Sequence, residues 1–314
     1  MSPRVRLSAL SVDLDSLPHY CRIQGLPVSL LDERALQVVA TKAIPRLLEL
    51  FSRASAPATF FVIGADVATP GMQDALRAAS AVGVELASHS YSHDYALSRG
   101  SAAQIEADLV RCEEALATVN AVPKGFRAPG YTLSPALLQA VAARGYEYDS
   151  SVFPATPYYL AKGAVMGGLS LLGRPSAAIL DSPRVLLAPR TPYRPSLAAP
   201  YSRGDAPLVE LPMAVAPLTR LHFIGTFATT MPWALVEATF RSLRRDTLFN
   251  FELHAVDVLD ATDGIPPELA RQQRDLQVPA RTKLERLGKL FGWLGADRDR
   301  VTVLDAARRL RPEL

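Results

Sequence analysis

From Leu7 to the last helix-period segment near residue 310, short apolar runs of strand length alternate with stretches of helical period, and few architectures accept that pattern. Leu7–Val12, Ala58–Ile63, Val84–Ala87, Gly125–Arg127, Tyr146–Tyr148, Leu208–Leu211, His222–Thr226, Leu248–Leu253 and Val301–Leu304 read as extended segments. Between them Leu36–Phe51, Met72–Ala79, Gln104–Val119, Ser134–Arg144, Ala234–Arg244 and Arg281–Leu294 carry apolar residues three and four apart. Ser134 followed by Pro135 has the form of a capped helix start. Alternation of this kind demands parallel strands with crossover helices outside, because a parallel strand needs both faces covered. Repeated about six to eight times, it favours a closed or nearly closed barrel over an open sheet. No glycine-rich phosphate loop follows the first strand, which weakens a nucleotide-binding reading.

The pattern breaks between residues 153 and 207. Nine prolines, from Pro154 to Pro207, reject regular structure there except across the apolar stretch Tyr158–Leu172. We read a single domain over residues 1–314, with 153–207 inserted over one face of the barrel. The apolar members of the insertion, Tyr158, Tyr159, Leu160, Val165, Met166, Leu169, Leu171 and Leu172, make either a helix packed on the barrel or an apolar lid with a membrane-facing patch.

Charge separates the remaining function classes. Lys and Arg number 34 against 31 Asp and Glu, a formal net charge of +3, and the arginines are scattered. Nucleic-acid binding would call for a basic stripe or patch, so it is not expected. No run reaches the roughly 18–20 apolar residues of a membrane span, nor does the start resemble a secretory leader, and the expected location is cytoplasmic. Cys21 and Cys112 have no partner spacing and read as buried thiols.

Polar residues collect where the strands end. Asp13 and Asp15 sit two apart, on one face of an extended chain, so both acids can enter one site; capping of the next segment is the alternative. His89 and His93 follow the third strand, and a helical turn there would stack the two imidazoles on one side, within reach of a single ion. Arg127-Ala-Pro129-Gly130-Tyr131 joins an arginine, a stiff proline and a flexible glycine, either a site turn or only a tight connection. His254 closes the apolar run Phe249–Leu253, where barrel catalytic groups sit. His19 and His222 read as structural.

Taken in order, Asp-x-Asp, His-x-x-x-His, Arg-x-Pro-Gly and Leu-x-His resemble the NodB-homology polysaccharide deacetylases, carbohydrate esterase family four. Ala58–Gly64, Glu85–His93, Gly125–Tyr131 and Val301–Ala307 are similar to that family's characteristic stretches. The resemblance implies a distorted (β/α) barrel of about seven strands and one divalent ion, usually zinc, on Asp15, His89 and His93. It also implies Asp13 as general base, Arg127 and Pro129 as walls, the Gly130–Tyr131 turn with the Tyr131 backbone N–H at the oxyanion, and His254 as general acid. The implied reaction removes an N-acetyl or other N-acyl group from an amino sugar, polymeric or lipid-linked. A deformylase, a cyclic amide or ureide hydrolase, and a carbohydrate-binding protein without catalysis are the alternatives. The chain departs from the family in two ways. An Asp-Leu-Asp replaces the adjacent pair, which leaves base and ligand exchangeable. No Asp-Trp motif is clear, and Asp149 is the nearest carboxylate to pair with His254.

Overall fold

The computed structural model describes residues 6–171 and 178–314. Among them the main sheet is built from β1 (Leu7–Asp13), β2 (Ala58–Val62), β3 (Glu85–Ser88), β4 (Gly125–Phe126) and β5 (Tyr148–Asp149). A hairpin of β6 (Pro195–Ser196) and β7 (Ala199–Arg203) stands apart, and β8 (Val209–Glu210), β9 (Leu248–His254) and β10 (Asp299–Val301) complete the sheet. Every pairing in the main sheet is parallel. The strands curl in the order β9-β1-β2-β3-β4-β5-β8, with β10 pairing only the first three residues of β1. The architecture is the expected distorted (β/α) barrel in one domain. No strand pairing closes β8 onto β9; instead the Ala214 N–H donates to the Asn250 carbonyl and the Asn250 amide to the Leu211 carbonyl.

Parallel strands buried on both faces explain why β1, β2 and β9 are almost wholly buried. Phe60, Phe249 and Phe251 face the helical layer, and Phe61, Ala87 and Tyr148 fill the interior. Gly125 belongs to this packing, since a Cβ there would lie 1.8 Å from the Tyr148 ring. Helices Met72–Ala81, Ala102–Ala117 and Ala280–Leu294 match the expected segments closely. Ser134 caps Pro135–Ala143 by accepting from the Leu137 N–H.

Three local expectations change. The segment 36–51 is not one helix: a π-turn at Val39–Ala43 precedes Ile44–Ala54, where Pro45 lacks the N–H an uninterrupted ladder would use. Residues His222–Thr226 form no strand, because Gly225 opens a short helix to Thr230. The last strand stops at Val301, since the Thr302 hydroxyl accepts from the Asp305 N–H and starts a helix at Val303.

Within the insertion, Thr156–Leu171 is a helix. Tyr158, Ala161, Lys162, Val165 and Met166, at helical spacing, line a cavity over the carboxyl ends of the strands, while Leu160 and Leu171 are 64% and 91% exposed. The segment is therefore a helix that borders the cavity. Leu172 and the Leu169 side chain lie outside the described residues. No described helix is long and apolar enough to cross a membrane.

Candidate active site

Parallel strands bring their carboxyl ends to one rim, and register decides which side chains meet there. Asp13 pairs directly with His254 across β1 and β9, and Ser88 with Phe126 across β3 and β4. Asp13, Asp15, His89, His93 and His254 thereby converge on one cavity of about 640 Å³. Asp15 Oδ1 lies 3.6 Å from His89 Nε2 and 3.5 Å from His93 Nε2. The three offer ligand atoms within 4.8 Å of one another, and all are buried.

The donors suit a divalent ion. His89 Nδ1 donates to the Arg127 carbonyl at 2.8 Å, so Nε2 is the lone-pair nitrogen facing Asp15. Asp15 Oδ1 and Asp13 Oδ2 are buried atoms with no hydrogen-bond partner. Burial above all raises the Asp15 pKa, and it pushes His93 well below the ordinary imidazole range, helped by His89 and His19. A cation would relieve both, since each ligand must be deprotonated to bind.

The two histidines reach this place by an unexpected route. Residues 89–93 are not a helical turn: Ser90 and His93 are left-handed, with φ of 64° and 51°. Asp108, on the helix Ala102–Ala117, holds that shape by accepting from the Tyr91 N–H (2.7 Å), the Ser92 N–H (3.0 Å) and the Ser92 hydroxyl (2.6 Å). The Ser90 hydroxyl accepts from the His93 N–H at 2.9 Å. His19 packs edge-on against His93, with centroids 4.5 Å apart, and pairs with Asp66 at 3.2 Å. Nothing local to Ser88–His93 announces Asp108.

Arg127 does not wall the cavity. It is fully buried beneath the site, its Nη1 on Asp13 Oδ1 at 2.5 Å, Nη2 on Ser11 and Ser150, Nε on the Ser150 carbonyl, and its plane over Phe61. Burial works to raise the Asp13 pKa, but Arg127, His89 and His254 together outweigh it and keep the carboxyl below its usual range. Asp13 is thus an ionised carboxylate with one oxygen tied down and the other open.

His254 has a different partner from the one expected. Asp149 is buried elsewhere, accepting from Ser151 at 2.6 Å and lying beside Glu210. The partner is Glu252, whose Oε1 is 2.9 Å from His254 Nδ1 and also accepts from the Tyr131 hydroxyl at 3.1 Å. Burial disfavours the imidazolium, yet Glu252, with Asp15 and Asp13, more than compensates and holds the His254 pKa well above its usual value. The signal was present in the sequence. Asn250, Glu252 and His254 alternate with Phe249, Phe251 and Leu253, and residues two apart on a strand share a face.

Tyr131 also differs from expectation. Its backbone N–H donates to the Ala128 carbonyl at 3.0 Å inside a tight turn, with φ of 62°, and so does not point freely at a ligand. Its ring and the Gly130 backbone line the cavity, while Pro129 is buried in the turn. Lys162 of the insertion helix donates to the Gly130 carbonyl at 3.3 Å, and burial brings its pKa down to about 8. His222, read as structural, lines the same cavity among Tyr158, Phe153 and Phe227.

Chemically, the rim joins three donors that could hold a cation, a carboxylate kept below its usual pKa and a histidine raised above its own, groups that a hydrolytic centre can use. Residues 32–148 match the polysaccharide deacetylase family model, a span that contains His89, His93 and Arg127. A peptidoglycan deacetylase of Helicobacter pylori is 29% identical over 160 residues, 50% of this chain; the chain spans about half, 54%, of that relative. The fold matches the crystal structure of a candidate polysaccharide deacetylase from Mycobacterium smegmatis at a TM-score of 0.62 and 18% identity, covering 100% of this chain and 93% of the other. It matches the Puue allantoinase at 0.58 and 14% identity, covering 99% and 92%.

Proposed function

We propose that this chain, whose residues 32–148 match the polysaccharide deacetylase family model, hydrolyses the N-acetyl or another N-acyl group of an amino sugar. The observation that carries this reading is the meeting of Asp15, His89 and His93 beside Asp13 and His254 in one cavity. Asp15, His89 and His93 would hold a divalent ion, with zinc the ion that suits two imidazoles and a carboxylate. Such an ion supplies Lewis-acid activation of water at neutral pH.

The chain's own residues do the rest. Asp13 Oδ2, which has no hydrogen-bond partner among the described residues, accepts the proton that water gives up as it attacks the acyl carbon. Arg127 keeps that carboxylate ionised and oriented. Amines leave poorly unless protonated, so His254, charged through Glu252, delivers the Nε2 proton to the departing nitrogen. Asp15 is the better ligand and Asp13 the better base, because Arg127 already occupies one oxygen of Asp13 and neither imidazole comes closer to it than 3.7 Å.

Purified protein loaded with zinc should bind about one equivalent, lose it in the His89→Ala/His93→Ala variant, and release acetate from at least one of a panel of free, polymeric and lipid-linked N-acetyl sugars. Absence of stoichiometric metal together with absence of product on the whole panel refutes the reading. The apolar stripe of the insertion helix and the exposed Leu160 and Leu171 favour including lipid-linked sugars and contact with a membrane surface. Liposome co-sedimentation of the wild type against Leu160→Ser/Leu171→Ser tests that part, and equal binding removes it.

A further inference from the structure

The mechanism leaves three buried polar atoms of the cavity unused, His222 Nδ1, the Tyr20 hydroxyl and Asp275 Oδ2, of which the last two are hydroxyl and carboxylate oxygens. Tyr20, on the helix Leu17–Ile23 that follows β1, and Asp275, on the short turn Arg274–Gln277, both line it. Tyr20 is 5% exposed and Asp275 1%. Among the described residues, the Tyr20 hydroxyl and Asp275 Oδ2 have no hydrogen-bond partner. The surrounding groups do not satisfy them. Lys283 spends its ammonium on the Val256 and Asp275 carbonyls, at 2.7 and 2.9 Å. The Leu276 N–H takes the other Asp275 oxygen at 3.1 Å. The Gln273 amide, tied to Gln24 at 3.0 Å, favours the carboxylate but leaves Oδ2 unbonded. Buried polar atoms are rarely left this way, and two on one cavity wall call for a ligand.

We infer that Tyr20 and Asp275 form a specificity subsite that binds one hydroxyl of the substrate sugar, a refinement that rests on the amino-sugar reading above. Their chemistry selects the group. A sugar hydroxyl can donate to Asp275 Oδ2 and accept from the Tyr20 phenol at once. An ammonium could donate to both oxygens but would leave the Tyr20 O–H without an acceptor. An anion would be repelled by Asp15, Asp275 and Asp257, whose charges already act on the Tyr20 hydroxyl. An apolar group would leave both atoms dry and unpaired. Tyr158, Ala161, Val165 and Met166 of the insertion helix give the same cavity apolar surface, so it offers polar groups for a hydroxyl and apolar ones for a less polar face. Sites built to bond a hydroxyl reject the analogue that lacks it far more strongly than apolar pockets reject a missing methylene.

The test uses zinc-loaded full-length wild type, Tyr20→Phe and Asp275→Asn, with N-acetylglucosamine and its 3-, 4- and 6-deoxy analogues. Binding is read by calorimetry, turnover by released acetate, and folding by melting temperature. Each variant should bind the parent sugar about tenfold more weakly or worse. In the wild type one deoxy analogue should show a similar loss, and the variants should no longer distinguish it from the parent. Equal binding of all four sugars to the wild type, no binding of any, or variants that keep the wild-type pattern overturns the subsite. Wild-type acetate release is scored separately: its presence with an unchanged variant pattern sinks the subsite alone, whereas sugar binding with no release from any N-acyl sugar sinks the hydrolase reading.

Discussion

Removing Asp108 tests how the site is held. Ser90 and His93 occupy the left-handed region, which costs a non-glycine residue about 1–2 kcal/mol each. Three hydrogen bonds to the Asp108 carboxylate offset that strain, and bonds to charged groups contribute about 1.5–3 kcal/mol each. In Asp108→Ala the loop can relax, so the folded state loses the surplus, roughly 2–5 kcal/mol. With about 2.1 cal/mol/K of unfolding entropy per residue over 314 residues, the melting temperature should fall by roughly 3–8 °C. Affinity for zinc should fall by at least about 10–100-fold, as for loss of an outer partner that orients a ligand, because His93 then leaves its position. Calorimetry of the metal-free protein and titration against a chromophoric chelator read the two effects. Asp108→Asn, which keeps one acceptor oxygen, should fall between. An Asp108→Ala protein with unchanged melting temperature and unchanged zinc affinity would refute the claim that this carboxylate shapes the histidine loop.

Other outcomes follow from the same contacts. His254→Ala should lower kcat by about 10²–10⁴-fold, the usual contribution of a general acid, and equal kcat would remove it from that role. Glu252→Gln takes away the anion that raises the His254 pKa, so the imidazolium is lost at lower pH and the alkaline limb of the rate profile should move to lower pH; an unmoved limb contradicts the pairing. Arg127→Met leaves Asp13 buried without its cation and should destabilise the fold by about 3–5 kcal/mol in chemical denaturation. Burial above all raises Asp257 to about 7 against a usual 3.8, which favours its protonated form in the folded state. Its contribution is therefore complete below about pH 4 and lost as pH rises through 7, and Asp257→Asn should flatten the stability profile across that window.

How far the chain could be read in advance depends on the range of the forces involved. Alternating strand and helix periods, the Ser134 cap and the company of Asp13, Asp15, His89, His93 and His254 at strand ends are local patterns, visible in neighbouring residues. Parallel strands force those ends to one rim, so the cluster itself could be anticipated. Its partners could not. Asp108 shapes the histidine loop from 16 and 17 positions away, and Arg127 reaches Asp13 across 114. Glu252 displaces Asp149 as the neighbour of His254 because they alternate on one strand, while Asp149 turns toward Ser151 and Glu210. The Tyr131 N–H is spent on Ala128, and the insertion helix covers the cavity, through turn geometry and packing that no local period encodes. Element type and strand-end chemistry were determined by short-range pattern. The protonation state, orientation and surroundings of each group were decided only when distant segments packed, because charges and hydrogen bonds act between whatever the fold brings within a few ångströms.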